Sequence, residues 1–218
     1  MNVLPNVEES YSVEVVRKAI HLSSLSIPII YYFIDREVAL AILLPLTLAF
    51  ALSDVLRLYH EPTGRLYERY LGFLLRRHER NDQGRRLNGA TYVLLSASLS
   101  VLVFPKVIVV TAFAILIVSD SAAALIGRRY GRHRVFGKTL EGAAAFFVSA
   151  VGVVLVAPKV LYLPPEYLIG FGGALFGAIV EASPLPVDDN LSIPIAIGAL
   201  MWGCYALFLP AVNVFAIG

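Results

Sequence analysis

Seven apolar stretches, at about 19–34, 38–53, 88–104, 106–126, 140–157, 167–180 and 191–209, constrain this chain more than any other feature. A helix needs roughly 17–25 such residues to cross the hydrocarbon of a bilayer. With 58% hydrophobic and 16% charged residues and a mean hydropathy of +0.73, 218 residues hold more apolar surface than one soluble core can bury. The expectation is an all-α, polytopic integral membrane protein of about seven transmembrane helices, forming a single membrane-embedded domain over 1–218. Several stretches are short, so the helices should pack on one another. The first stretch is not read as a signal peptide, because it carries His21 and Pro28, lacks a small-residue cleavage site and precedes six more.

Lys and Arg set the orientation. Arg17 and Lys18, eight arginines from Arg57 to Arg86 and the five cations from Arg128 to Lys138 fall on one side, leaving Arg36, Lys106 and Lys159 on the other. The positive-inside rule places the first group, and with it the N-terminus, in the cytoplasm. The long polar connector at about 55–87 carries Leu66, Tyr70, Phe73, Leu74 and Arg77 at helical spacing, so an amphipathic helix on the inner surface is expected, its arginines serving anionic lipids.

Chemistry-bearing residues gather on that inner side. Asp120 ends an apolar run and needs a cation or metal partner. Ser121 and three alanines follow, then Arg128, Arg129, Arg132, Arg134 and Lys138 among Gly127, Gly131 and Gly137, and Thr139, Glu141 and Gly142 open the next helix. Glycines and a helix N-terminus let backbone N–H groups approach an anion. Gly137-Lys138-Thr139 is not a P-loop, since the required earlier glycine is Arg132. The last inner connector has no cation and holds Glu181, Asp188, Asp189 and Asn190. One of these can cap the final helix; together they are hard oxygen ligands suited to Mg²⁺. Basic and acidic connectors on one face suit a nucleoside triphosphate with its metal.

At the N-terminus, Glu14, Arg17, Lys18 and His21 share one side of a helix. Asp54 stands one turn before Arg57, as a local ion pair or a ligand contact, and Asn88 either simply opens the next helix or faces the site. Cys204 is a lone packing residue that can form no intramolecular disulfide. A net charge of +2 and the lack of a binding module argue against nucleic acid as partner. No repeat or low-complexity tract is evident. The sequence leaves oligomerisation open.

The series Arg17-Lys18…His21, Asp54…Arg57, Asp120-Ser121-Ala122-Ala123…Gly127-Arg128…Gly131, Gly137-Lys138-Thr139…Glu141-Gly142 and Glu181…Asp189-Asn190-Leu191…Pro194 resembles the polyprenol kinase family of dolichol kinases, phytol kinases and CTP-dependent diacylglycerol kinases. The resemblance implies a multi-pass enzyme moving the γ-phosphate of CTP, with Mg²⁺ or Mn²⁺, onto a lipid alcohol. It implies catalytic roles for Asp120, Lys138, His21 and Asp54, and nucleotide contacts from Ser121, Gly127, Arg128, Gly131, Lys138, Thr139, Glu141, Gly142 and Asn190. Metal ligation falls to Asp120, Asp188, Asp189 and Glu181, and a phosphate or lipid headgroup to Arg17 and Lys18. The central motif is also similar to that of phosphatidate cytidylyltransferases, but Pro186-Val187-Asp188-Asp189-Asn190-Leu191 lacks their His-Gly-Gly and Asp-Arg elements. Nucleotidyl transfer is the runner-up, and a transporter or scaffold the reading from another class.

Overall fold

The computed structural model describes residues 7–60, 62, 64 and 87–216. Helix α1 (Val7–Ser23) is followed by α2 (Ser26–Phe33), α3 (Arg36–Tyr59), α4 (Gly89–Val103) and α5 (Lys106–Tyr130). Strands β1 (Arg134–Val135) and β2 (Lys138–Thr139) then precede α6 (Leu140–Val156), α7 (Pro164–Ala182) and α8 (Asp189–Phe208). The expected amphipathic connector lies almost wholly outside the described residues.

Helix α5 is the axis. Ile108, Phe113, Ile115, Leu116 and Ile117 are at most 1% exposed, because α1, α2, α4, α6, α7 and α8 all pack on it. Helix α3 packs on α4 at the periphery and exposes Ile42, Leu46, Leu48 and Leu52. Three helices, α3, α5 and α8, are long and apolar enough to cross a membrane; α4 and α6 are shorter apolar helices. The first apolar stretch is not one helix. Pro28 has no N–H to give the Ser24 carbonyl, and Ile27 N–H donates there instead at 2.9 Å, so the chain turns at Ser24-Leu25 and restarts as α2.

Helix α1 is built the reverse of a water-soluble amphipathic helix. Its buried side chains are Glu14 and Lys18, while Val13, Val15, Val16, Ile20 and Leu22 are 40–49% exposed. In water that arrangement would cost about 25 cal/mol per Å² of apolar surface left out. In lipid it is the favourable one, with polar groups facing the bundle.

The three cations assigned to the outer face each neutralise the C-terminal end of a helix. Arg36 donates to the Val101 and Phe104 carbonyls at the end of α4, both at 2.8 Å. Lys106 donates to Ile34 just past α2 at 2.9 Å. Lys159 donates to Val154 and Ala157 at the end of α6, at 2.7 and 2.8 Å. Burial pulls the Lys159 pKa below the ordinary lysine value, with Glu166 opposing the shift. Glu166 itself, fully buried, accepts from the N–H groups of Val160, Leu161 and Leu163 and from the Tyr205 hydroxyl at 2.8–3.0 Å. This end of the bundle is closed by satisfied polar groups.

Candidate functional site

The opposite end is assembled from the tips of α1, α5, α6, α7 and α8. A seam of small residues brings α5 against α6. A Cβ on Gly127 would stand 2.7 Å from Thr139 Oγ1 and 3.4 Å from Gly142 Cα, and one on Gly142 would stand 3.1 Å from the Ala123 carbonyl. Gly131 likewise faces Thr139. The structure uses Gly127, Gly131 and Gly142 for close helix packing, a use the sequence does not separate from anion contact. Thr139 caps α6 by accepting from Gly142 N–H at 3.1 Å.

Between the two helices the chain makes an antiparallel hairpin, Arg134 opposite Thr139 and Val135 opposite Lys138. Its two turn residues, Phe136 (φ 50°) and Gly137 (φ 88°), are both left-handed, as a tight two-residue hairpin turn requires. Glu141 holds the base of the hairpin, accepting from His133 N–H and pairing with His133 Nδ1 at 2.8 Å. The expectation for this stretch was a plain connector; two-residue strands have too little alternation to read.

The hairpin delivers Lys138 to the acidic connector. Its Nζ lies 3.0 Å from Asp189 Oδ2 and 3.2 Å from Glu181 Oε1, and it also donates to the Glu181 carbonyl. Burial works against the Lys138 charge, but the Asp189 and Glu181 carboxylates outweigh it and hold its pKa above the ordinary lysine value. On the α1 side, Lys18 pairs with Asp120, and His21 Nε2 stands 3.5 Å from the same carboxylate. Glu14 Oε2 accepts from both Arg17 and Arg128 at 2.9 Å. The side that the spacing of Glu14, Arg17, Lys18 and His21 defines is therefore the side of α1 that docks on α5.

Asp120, Glu181 and Asp189 act on one another electrostatically, so two lysines and three carboxylates share one charged site. Among the described residues, no group of three or more His, Cys, Asp or Glu side chains stands ready to hold a metal ion. Lysines occupy the carboxylates expected to ligate, and Asp188 caps α8, accepting from Asn190 N–H at 3.0 Å. One observation does fit a cation: Glu181 Oε2 is buried with no hydrogen-bond partner among the described residues. Ser121 is buried and donates to the Ile117 carbonyl at 2.7 Å.

Asp54 lies in a neighbouring knot. Fully buried, it accepts from Asn88 N–H at 2.7 Å, Asn88 Nδ2 at 2.9 Å, Thr91 Oγ1 at 2.7 Å and Arg57 Nε at 3.2 Å. The Asp–Arg pair of the sequence is present, and Asn88 and Thr91 complete it. Asn190 adjoins the knot, its Nδ2 lying 3.4 Å from where a Gly89 Cβ would be. Sequence reasoning missed Thr91 altogether. The cue was a hydroxyl one turn into a helix that begins at Asn-Gly.

Fold and site together define a helical membrane protein with a charged site at one end of its bundle. The chain is 31% identical over 191 residues to the uncharacterized protein RP860 of Rickettsia prowazekii, the match covering 86% of this chain and 93% of that one. It belongs to the same family as that protein. It is also 29% identical to CTP-dependent diacylglycerol kinase 1 of Schizosaccharomyces pombe over 69% of this chain and 73% of the yeast protein. With CTP-dependent diacylglycerol kinase 1 of Saccharomyces cerevisiae the identity is 28%, over 84% and 70%. Its distant homologues thus include CTP-dependent lipid kinases. No family model matches the chain, and no solved structure matches it.

Proposed function

We propose that this protein is a CTP-dependent lipid kinase that transfers the γ-phosphate of CTP to the hydroxyl of a membrane lipid alcohol, either diacylglycerol or an isoprenoid alcohol. The observation that carries the reading is the opposition of Lys18 and Lys138 to Asp120, Glu181 and Asp189 at one end of the bundle. Triphosphate oxygens compete for the same lysines that now neutralise these carboxylates. Lys138, Lys18, Arg17 and Arg128 are the cations for the phosphates, and the N-terminus of α6 behind Thr139 adds its dipole. The homology to CTP-dependent diacylglycerol kinases supports both donor and reaction.

Phosphoryl transfer of this kind is largely a matter of positioning and charge stabilisation. The lipid oxygen attacks the γ-phosphorus in line, the bond to the β–γ bridging oxygen breaks, and CDP leaves. The hydroxyl proton passes to Asp120 or, through it, to His21, whose Nε2 stands 3.5 Å from that carboxylate. Asp120, Glu181 and Asp189 are the residues that would hold a divalent cation, Glu181 Oε2 being the open oxygen; such an ion would neutralise charge on the phosphates. Asp54 is assigned to holding α3 against α4, not to proton transfer. The reading includes a multi-pass chain with its N-terminus and this site on the cytoplasmic face, since the three outer-face cations are consumed as helix caps.

Purified protein, γ-labelled CTP and a panel of diacylglycerol, dolichol, phytol, geranylgeraniol and phosphatidate test the proposal. Label in an alcohol identifies the kinase and its acceptor. Release of labelled pyrophosphate only with phosphatidate would establish the cytidylyltransferase instead, and no CTP turnover or binding with any acceptor would leave a transporter or scaffold.

A further inference from the structure

Among the described residues nearly every Lys and Arg is engaged: Arg17 and Arg128 with Glu14, Lys18 with Asp120, Arg57 with Asp54, Lys138 with Glu181 and Asp189. Arg36, Lys106 and Lys159 cap helices, and Arg129 lies over the rings of Tyr11 and Tyr130. Arg132 and Arg134 are the exceptions. Both are exposed, and neither forms an ion pair among the described residues. Both stand on the β1 side of a hairpin tip that carries an aromatic where chain chemistry disfavours one. Phe136 holds φ 50°, a conformation that Gly, Asn or Asp adopts readily and a bulky side chain does not. It is also 75% exposed. Val135 and Leu140 beside it are 37% and 57% exposed.

We propose that the β1–β2 hairpin is an interfacial clip for anionic lipid, with Phe136 seated at the headgroup–acyl boundary and Arg132 and Arg134 on the headgroup charges. The strain and exposure at Phe136 are then offset by burial in lipid. The guanidinium groups find ionic partners that the described residues do not give them. The hairpin joins a membrane-crossing helix to a shorter apolar one, α5 to α6, so its tip stays within reach of the bilayer surface. Because Val135 pairs with Lys138, lipid contact at the tip also steadies the strand that carries Lys138. The clip does not depend on which reaction the site performs.

The chain has one tryptophan and one cysteine, Cys204, so site-specific reporters are direct. Full-length protein carrying Trp202→Phe and Phe136→Trp is reconstituted in vesicles of brominated phosphatidylcholine, with or without about a third of phosphatidylglycerol. Brominated chains should quench the emission by roughly twofold or more in the anionic vesicles and clearly less in the neutral ones. Adding Arg132→Gln and Arg134→Gln should bring the anionic result down to the neutral one. The same pattern should appear with Cys204→Ala and Phe136→Cys bearing a polarity-sensitive dye, which guards against a misfolded tryptophan variant. Iodide quenching like that of free tryptophan, with no effect of brominated lipid, would overturn the clip. Equal quenching in both vesicle types would overturn the anionic assignment. Emission that follows protein density and not lipid composition would assign the tip to a second copy of the chain.

Discussion

Replacing Asp54 separates a structural tie from a catalytic carboxylate. Its two oxygens accept four hydrogen bonds within 3.2 Å at a fully buried position. Asp54→Ala withdraws the carboxylate from Arg57, Asn88 and Thr91 at once. A neutral bond contributes a net of about 1 kcal/mol and a charged one about 1.5–3 kcal/mol, but the four share one group and do not add. Removing one partner of a buried pair costs about 3–5 kcal/mol, so about 4 kcal/mol is expected. A chain of this size moves about 2–4 °C per kcal/mol, which puts the drop in the midpoint of thermal unfolding near 10 °C. Asp54→Asn keeps the volume and one acceptor oxygen but turns an NH₂ toward donors, and about half that loss follows. The assay is unfolding in detergent followed by dye binding, with turnover per folded molecule measured well below both midpoints. Turnover should stay within a few-fold of wild type. An Asp54→Asn protein with the wild-type midpoint and no turnover would refute the tie and return Asp54 to the chemistry.

Gly127→Ala should lower the thermal midpoint through a cost of about 1–3 kcal/mol, because its Cβ would meet Thr139 Oγ1 at 2.7 Å; Gly152→Ala, with nothing within 4 Å, should hold or raise it. Lys138→Met removes the cation that Glu181 and Asp189 share, and CTP affinity by calorimetry should fall about tenfold or more, some 1.4 kcal/mol. An unchanged dissociation constant would take Lys138 out of the phosphate site. Tyr205→Phe leaves Glu166 with three N–H donors and should cost about 1 kcal/mol of stability with turnover unaffected. Lost turnover at native stability would contradict a purely structural outer end.

The apolar runs from the second onward return as α3 to α8 with only their ends displaced, since charged or proline-bearing segments punctuate each of them. The first run carries no charged residue at its break, Ser24-Leu25. Its break came from a missing N–H at Pro28, whose effect depends on where the preceding helix ends. Glycines 127, 131 and 142 were legible as places of close approach; that what approaches is another helix was not, because anion contact and packing need the same missing Cβ. Among the charges, spacing along α1 gave the shared face, whereas the pairing of Lys18 with Asp120 and of Arg128 with Glu14 joins residues about a hundred positions apart. Arg36, Lys106 and Lys159 stood out only as exceptions to a charge bias; the helix ends that Arg36 and Lys106 cap are contributed by distant segments of the chain, whereas Lys159 folds back on the end of the helix just before it.

Helix α1, with its charges inward and its aliphatics outward, is fastened in a manner unlike the rest of the bundle. Around α5 to α8 the grip is shape: filled volume and backbone set against backbone, which yields to no solute. Helix α1 is gripped by valence, and valence is exchangeable. An incoming polyanion offers Arg17, Lys18 and Arg128 what Glu14 and Asp120 now offer them, without any apolar surface having to be parted. The first helix is thus a wall of the site whose bonds a ligand can replace like for like, as it can those that tie Lys138 of the hairpin to Glu181 and Asp189.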